Sequence, residues 1–136
     1  MKKSKIYFLI LALSILVFRL QAQESTETKI YDKVERMPHY PGGDQSMYQY
    51  LKSKIKYPED AKKNKLSGTV FISFVIGPDG SLTQILPLKE VDGDTEHSLT
   101  KEAIRVISGM PAWRPGIEKG KAVSVKYSIP VKFSLQ

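Results

Sequence analysis

The run Val123-Ser124-Val125-Lys126-Tyr127-Ser128-Ile129-Pro130-Val131-Lys132-Phe133-Ser134-Leu135 decides the fold. Every odd position is apolar or aromatic, and every even position is Ser, Lys or Pro. Strict period two places the two sets on opposite faces of a β-strand. One face is built for a core and the other for water. Pro130 adds a constraint, because it has no N–H for a sheet ladder. The strand is therefore expected at a sheet edge, or with one side unpaired at that residue.

Working back toward the N-terminus, Pro111-Ala112-Trp113-Arg114-Pro115-Gly116 reads as a loop. Before it, Leu99, Ala103, Val106, Ile107 and Met110 fall on one helical face, stopped by Gly109 and Pro111. Asp94 or Thr95 is placed to cap that helix. Upstream, Gly68 opens a strand in which Val70, Ile72, Phe74 and Ile76 alternate with Thr69, Phe71, Ser73 and Val75. Apolar groups on both faces predict a central strand. Gly77-Pro78-Asp79-Gly80 is a hairpin turn: Pro presets a dihedral, Asp bonds its own backbone, and Gly accepts positive φ. The second hairpin strand runs roughly from Ser81 to Val91. Met47, Tyr48, Leu51 and Ile55 predict a helix that Asp44 could cap, after the turn Pro38-His39-Tyr40-Pro41-Gly42-Gly43. Pro58, Glu59 and Asp60 suit the first turn of a short second helix. The expected fold is α+β. A small three-stranded antiparallel sheet, made of the hairpin and the long last strand, packs on two to three helices.

The 136 residues suffice for one domain, and 41% apolar with 26% charged residues is a globular composition. The absence of cysteine removes disulfides, thiol chemistry and a lipid-modified cysteine. The net charge of +7 is concentrated at the start. Lys2, Lys3, Lys5 and Arg19 supply four charges, leaving 17 basic against 14 acidic residues beyond position 22. That balance does not argue for nucleic acid. The early lysines precede an apolar run from Ile6 to Phe18, then Gln21, Ala22 and Gln23. This describes a secretory signal peptide over residues 1–22 and a periplasmic product. The alternative is an inner-membrane anchor over residues 6–18. Thirteen helical residues rise only about 20 Å, against a hydrocarbon core of about 30 Å. Residues 23–37 form a polar leader able to pair weakly as an extended segment, and residues 38–136 form the domain.

Several blocks, in this order, resemble one family. Tyr40-Pro41-Gly42-Gly43 comes first, then Tyr57-Pro58 with Ala61 and Gly68-Thr69-Val70. Asp79-Gly80-Ser81-Leu82, Met110-Pro111-Ala112-Trp113-Arg114-Pro115-Gly116, Gly120-Lys121-Ala122-Val123 and Ile129-Pro130-Val131-Lys132-Phe133 follow. Together they resemble the C-terminal domain of TonB energy transducers, in the form typical of Bacteroidetes-type bacteria, over about residues 34–135. The resemblance implies binding and no enzyme activity. Members take an extended segment of an outer-membrane transporter, the TonB box, as a strand beside their last strand. It implies a partner-binding strand at Val123, Ser124, Val125, Lys126, Tyr127, Ser128, Ile129, Val131, Lys132 and Phe133, with Ser124, Lys126 and Ser128 on its open face. It gives structural roles to Pro41, Gly42, Gly43, Tyr57, Pro58, Gly68, Asp79, Gly80, Pro111, Trp113, Pro115, Gly116 and Pro130. An alternative is a structural or regulatory module of the same fold that self-pairs as a homodimer or binds another partner. The Pro-rich spacer of a full transducer is missing, and residues 24–43 reach about 70 Å at most. Contact with inner-membrane motor proteins is expected only if the N-terminus is an uncleaved anchor.

Other chemistry reads weakly. Ser98-Leu99-Thr100-Lys101 has the Ser-x-x-Lys form, without the partner motifs of those enzymes. Asp92, Asp94 and Glu96 lack calcium-loop spacing, and His39 and His97 lack ligand-spaced neighbours, so no metal is expected. Gly42-Gly43 lacks the setting of a phosphate loop, and no cofactor is expected. The lysines at 52, 54, 56, 62, 63 and 65 read as a solvated face. Trp113 reads as a plug at the end of the core.

Overall fold

The computed structural model describes residues 5–7, 9–11 and 28–136; the first two groups are helical. Most of the apolar start read as an export signal lies outside the described residues. No helix among them is long and apolar enough to cross a membrane.

The expected elements are present. Helix α1 spans Asp44–Lys54 and α2 spans Glu59–Lys63. Strand β2, Gly68–Ile76, turns into β3, Leu82–Lys89; α3, Ser98–Ser108, and β5, Lys121–Phe133, follow. Two short strands were not anticipated: β1, Ile30–Tyr31, and β4, Gly116–Glu118. The sheet therefore has five strands rather than three, ordered β1-β5-β2-β3 with β4 also paired to β5. It is mixed, because β1 runs parallel to β5. β2 is central as expected, antiparallel to β3 on one side and to β5 on the other.

Alternation in β2 and β5 builds the core. Val70, Ile72, Phe74 and Ile76 meet Ile129, Val131 and Phe133 on one sheet face. Met47, Leu51, Ala61, Leu99, Ala103, Val106 and Ile107 cover that face from the helices. Tyr48, expected in the buried stripe of α1, is instead 50% exposed, because the helix turns only Met47 and Leu51 fully inward.

The caps differ at both longer helices: His97, rather than Asp94 or Thr95, immediately precedes α3, and Asp94 caps it from three residues further back. Gly43, not Asp44, precedes α1, and no side chain caps that helix; Asp44 is its first residue. At α3 the buried Asp94 carboxylate accepts from the amides of Ser98 (3.0 Å) and Leu99 (2.9 Å). Two of the four unpaired helix donors are thereby satisfied. Glu102 binds Arg105 and accepts from the Lys56 amide at 2.8 Å, while Arg105 reaches the Lys54 carbonyl at 3.1 Å. This network fixes the end of α1 against α3.

The hairpin turn forms as its residues demand. Gly80 donates to the Gly77 carbonyl and Gly77 to the Ser81 carbonyl, both at 2.9 Å. Asp79 accepts from the Ser81 amide and hydroxyl at 3.0 and 2.7 Å. The polar leader pairs as an extended segment: β1 joins β5, and Arg36 bridges Ile117.

Candidate functional site

β5 is the longest strand, and its two sides are filled unequally. On one side β2 pairs with it continuously from Val125 to Phe133. On the opposite side β1 pairs only at Ser124 and Val125. β4 pairs with Lys121, Ala122 and Val123. From Lys126 to Phe133 the side away from β2 therefore has no strand among the described residues.

The register states which backbone groups face that open side. Pro130 lies directly opposite Phe71. Opposed residues in an antiparallel ladder either exchange both hydrogen bonds or exchange none. Pro130 has no N–H, so this pair is a non-bonded one, and the Pro130 carbonyl points away from β2. By alternation the backbones of Lys126, Ser128 and Lys132 point the same way. Those of Val125, Tyr127, Ile129, Val131 and Phe133 bond β2. Lys126 borders β1, so the open stretch offers carbonyls at Ser128, Pro130 and Lys132 and amides at Ser128 and Lys132. The expectation drawn from Pro130, of a strand with one side unpaired, holds.

The residues expected to bind a partner thus divide. Val123 is committed to β4, and Ser124 to β1. Ser124 is only 5% exposed, so it is not on an open face: Ile30 lies beside it. Val125, Ile129, Val131 and Phe133 are buried core residues, as their side of the alternation predicts. Lys126, Ser128, Pro130 and Lys132 are exposed.

A cleft of about 420 Å³ runs along the far half of this edge, between α1 and the sheet. Tyr48, Leu51, Lys52 and Ile55 form one wall, and Pro130 to Ser134 form the other. Lys52 and Lys132 line it and no carboxylate does. Sequence periodicity did not reveal this cleft, because it depends on how α1 lies across the sheet. Tyr48, whose spacing reads as core, is left exposed to form part of its wall.

An aromatic cluster supports the edge from inside. Trp113 is 4% exposed. It packs against Tyr127 (5.3 Å between ring centres), Phe74 (5.4 Å) and Tyr40 (5.9 Å). It therefore plugs the end of the core, as its setting predicts. Burial, then the charge of Asp44 and the phenol of Tyr48, raises the Tyr127 pKa, so the phenol stays neutral. The backbone around Trp113 is equally constrained. Its amide donates to the Gly80 carbonyl at 2.9 Å. Gly116 sits where a Cβ would come within 2.5 Å of Val125. Tyr57 donates to the Leu66 carbonyl and stacks edge-on against Phe133. Gly43 donates to the Tyr40 carbonyl at 2.8 Å, closing the Pro41-Gly42 turn ahead of α1. Gly68 packs its backbone against Val91, Pro58 precedes α2, and Pro111 and Pro115 flank the Trp113 loop.

The other motifs join structure rather than chemistry. The Ser98 hydroxyl donates to Asp60, tying α3 to α2, and that bond is the main cause lowering the Asp60 pKa. His97 bonds Glu90, which also accepts from Thr100 at 3.0 Å. Among the described residues no group of three His, Asp or Glu is arranged for a metal.

The chain is similar to known proteins. The family model described as Gram-negative bacterial TonB protein C-terminal matches residues 53–135, from the end of α1 through β5. Protein TonB of Helicobacter pylori (strain ATCC 700392 / 26695) is 29% identical over 118 residues, covering 84% of this chain and 39% of that protein. The chain thus spans about two fifths of that relative's length. The NMR solution structure of Helicobacter pylori TonB-CTD, residues 179–285, aligns with a TM-score of 0.48 at 25% identity, covering 68% of this chain and 79% of that one. A second, of residues 194–285, gives 0.43 at 24% identity, covering 66% and 90%. Because the family model covers well over half of its length, this chain belongs to the family of the Gram-negative bacterial TonB protein C-terminal domain.

Proposed function

We propose that this chain is a periplasmic interaction module that takes the TonB box of an outer-membrane transporter as an added strand on the open side of β5. One observation carries the reading: outward backbone groups at Ser128, Pro130 and Lys132 with no strand beside them among the described residues. An added strand satisfies them, and strand addition is a common way of recognising extended peptides. Affinity would come from the backbone. Selectivity would come from alternate side chains, one set entering the cleft under α1 and the other meeting exposed Lys126.

The test is Ser128→Pro. The Ser128 amide faces outward, so its loss spares the β2 ladder; proline at Tyr127 would break that ladder. Losing one such bond and orphaning its acceptor weakens binding about tenfold. Titration with synthetic TonB-box peptides from the host's transporters measures this, with unfolding temperature as the control. Unchanged affinity in a folded variant would rule out the open side of β5 as the site.

Export belongs to the same proposal. Lys2, Lys3, Lys5 and the apolar run behind them are read as a cleaved signal. Intact-mass measurement on protein from the native envelope is expected to show a chain starting near Ala22 or Gln23. A mass that includes residues 1–22 would contradict cleavage.

A further inference from the structure

We propose that Pro130 is a specificity-determining residue, one that lets the open side of β5 accept a foreign strand while rejecting a second copy of this chain. The inference rests on the strand-addition reading and concerns what keeps that edge from self-pairing. An exposed strand edge is a template for any other edge, its own twin included.

Symmetry makes proline discriminate between the two cases. A foreign strand meets Pro130 once and lacks one hydrogen bond there. Two copies joined edge to edge form a twofold interface, in which every contact occurs twice. The open stretch is short, running from Lys126 to Phe133. Symmetric antiparallel registers along it set Pro130 opposite Lys126, Ser128, Lys132 or itself. In each of these, two donors are missing and two carbonyls of the sheet are left without partners. Lys126 and Lys132 act in the same direction. Both are exposed on the side of the strand away from the core, and the register pairing Ser128 with Pro130 brings Lys126 opposite Lys132 twice. Like charges facing each other across a ladder destabilise it.

Restoring the N–H should therefore favour the twin more than the foreign strand. Sedimentation equilibrium on the full chain, wild type against Pro130→Ala and Pro130→Val, measures self-association. About 1 M salt screens the lysines. With roughly tenfold per restored bond, self-association should tighten about a hundredfold and TonB-box peptide binding about tenfold. Valine, a strand-favouring residue, guards against a variant that merely folds poorly, and unfolding temperatures are read alongside. Self-association that changes no more than peptide binding overturns the proposal. Variants that self-associate, while neither they nor the wild type bind any peptide, would uphold the role of Pro130 and sink the transporter reading.

Discussion

Trp113→Ala is expected to lower the free energy of unfolding by about 3–5 kcal/mol. The indole is 4% exposed and touches three aromatic rings from separate parts of the chain. Tyr40 precedes α1, Phe74 lies in β2, and Tyr127 lies in β5, so no single element can collapse into the space left behind. Among the described residues the indole N–H has no hydrogen-bond partner, so the expected loss is one of packing. Trp113→Phe, which keeps a ring, should cost less than half as much. Against a usual stability of about 5–15 kcal/mol, the alanine variant loses a large share of the total. Urea denaturation followed by circular dichroism measures it. A loss below about 1 kcal/mol would show that the cluster does not hold the end of the core. Because Tyr127 is the neighbour of Ser128, the folded fraction of the variant should also bind peptide more weakly.

Legibility in the sequence followed the length of each element. β5 was readable because thirteen residues repeat one alternation, and β2 with β3 because Gly77-Pro78-Asp79-Gly80 announces their turn. β1 and β4 have two and three residues, too few for any period to emerge. The β4–β5 turn hides for a second reason. Lys119 and Gly120 both take positive φ, at 49° and 75°, the form that tight hairpins need. Such turns are usually signalled by Asn-Gly or Asp-Gly, and lysine gives no such signal. Missing β1 had a functional consequence, since β1 decides where the open side of β5 begins. Ser124 looked exposed by alternation and is buried because β1 lies alongside. Alternation separates the two faces of a strand and is silent about its two edges. Only Pro130 spoke about edges, and it did so correctly.

Gly80→Ala is expected to cost about 3 kcal/mol, a large effect for one methyl group in a surface turn. Gly80 has φ of 84°, where an L side chain adds strain of about 1–2 kcal/mol. The added Cβ would also lie 2.0 Å from the Trp113 carbonyl oxygen and 3.1 Å from the Trp113 nitrogen. These are backbone atoms and cannot rotate aside, so the two segments must separate. Separation breaks the bond from the Trp113 amide to the Gly80 carbonyl, worth about 1 kcal/mol or more. It also draws Trp113 out of its seat between Phe74 and Tyr127. The Gly80 and Trp113 substitutions should therefore be non-additive. Once Trp113→Ala has emptied the cluster, Gly80→Ala should cost at least 1 kcal/mol less than in the wild type. A double-mutant cycle by urea denaturation measures this coupling. Additive losses would mean that the β2–β3 turn strains locally without moving the indole. Coupled losses would mean that this turn, distant in sequence from β5, helps to position the edge on which a partner strand would be added.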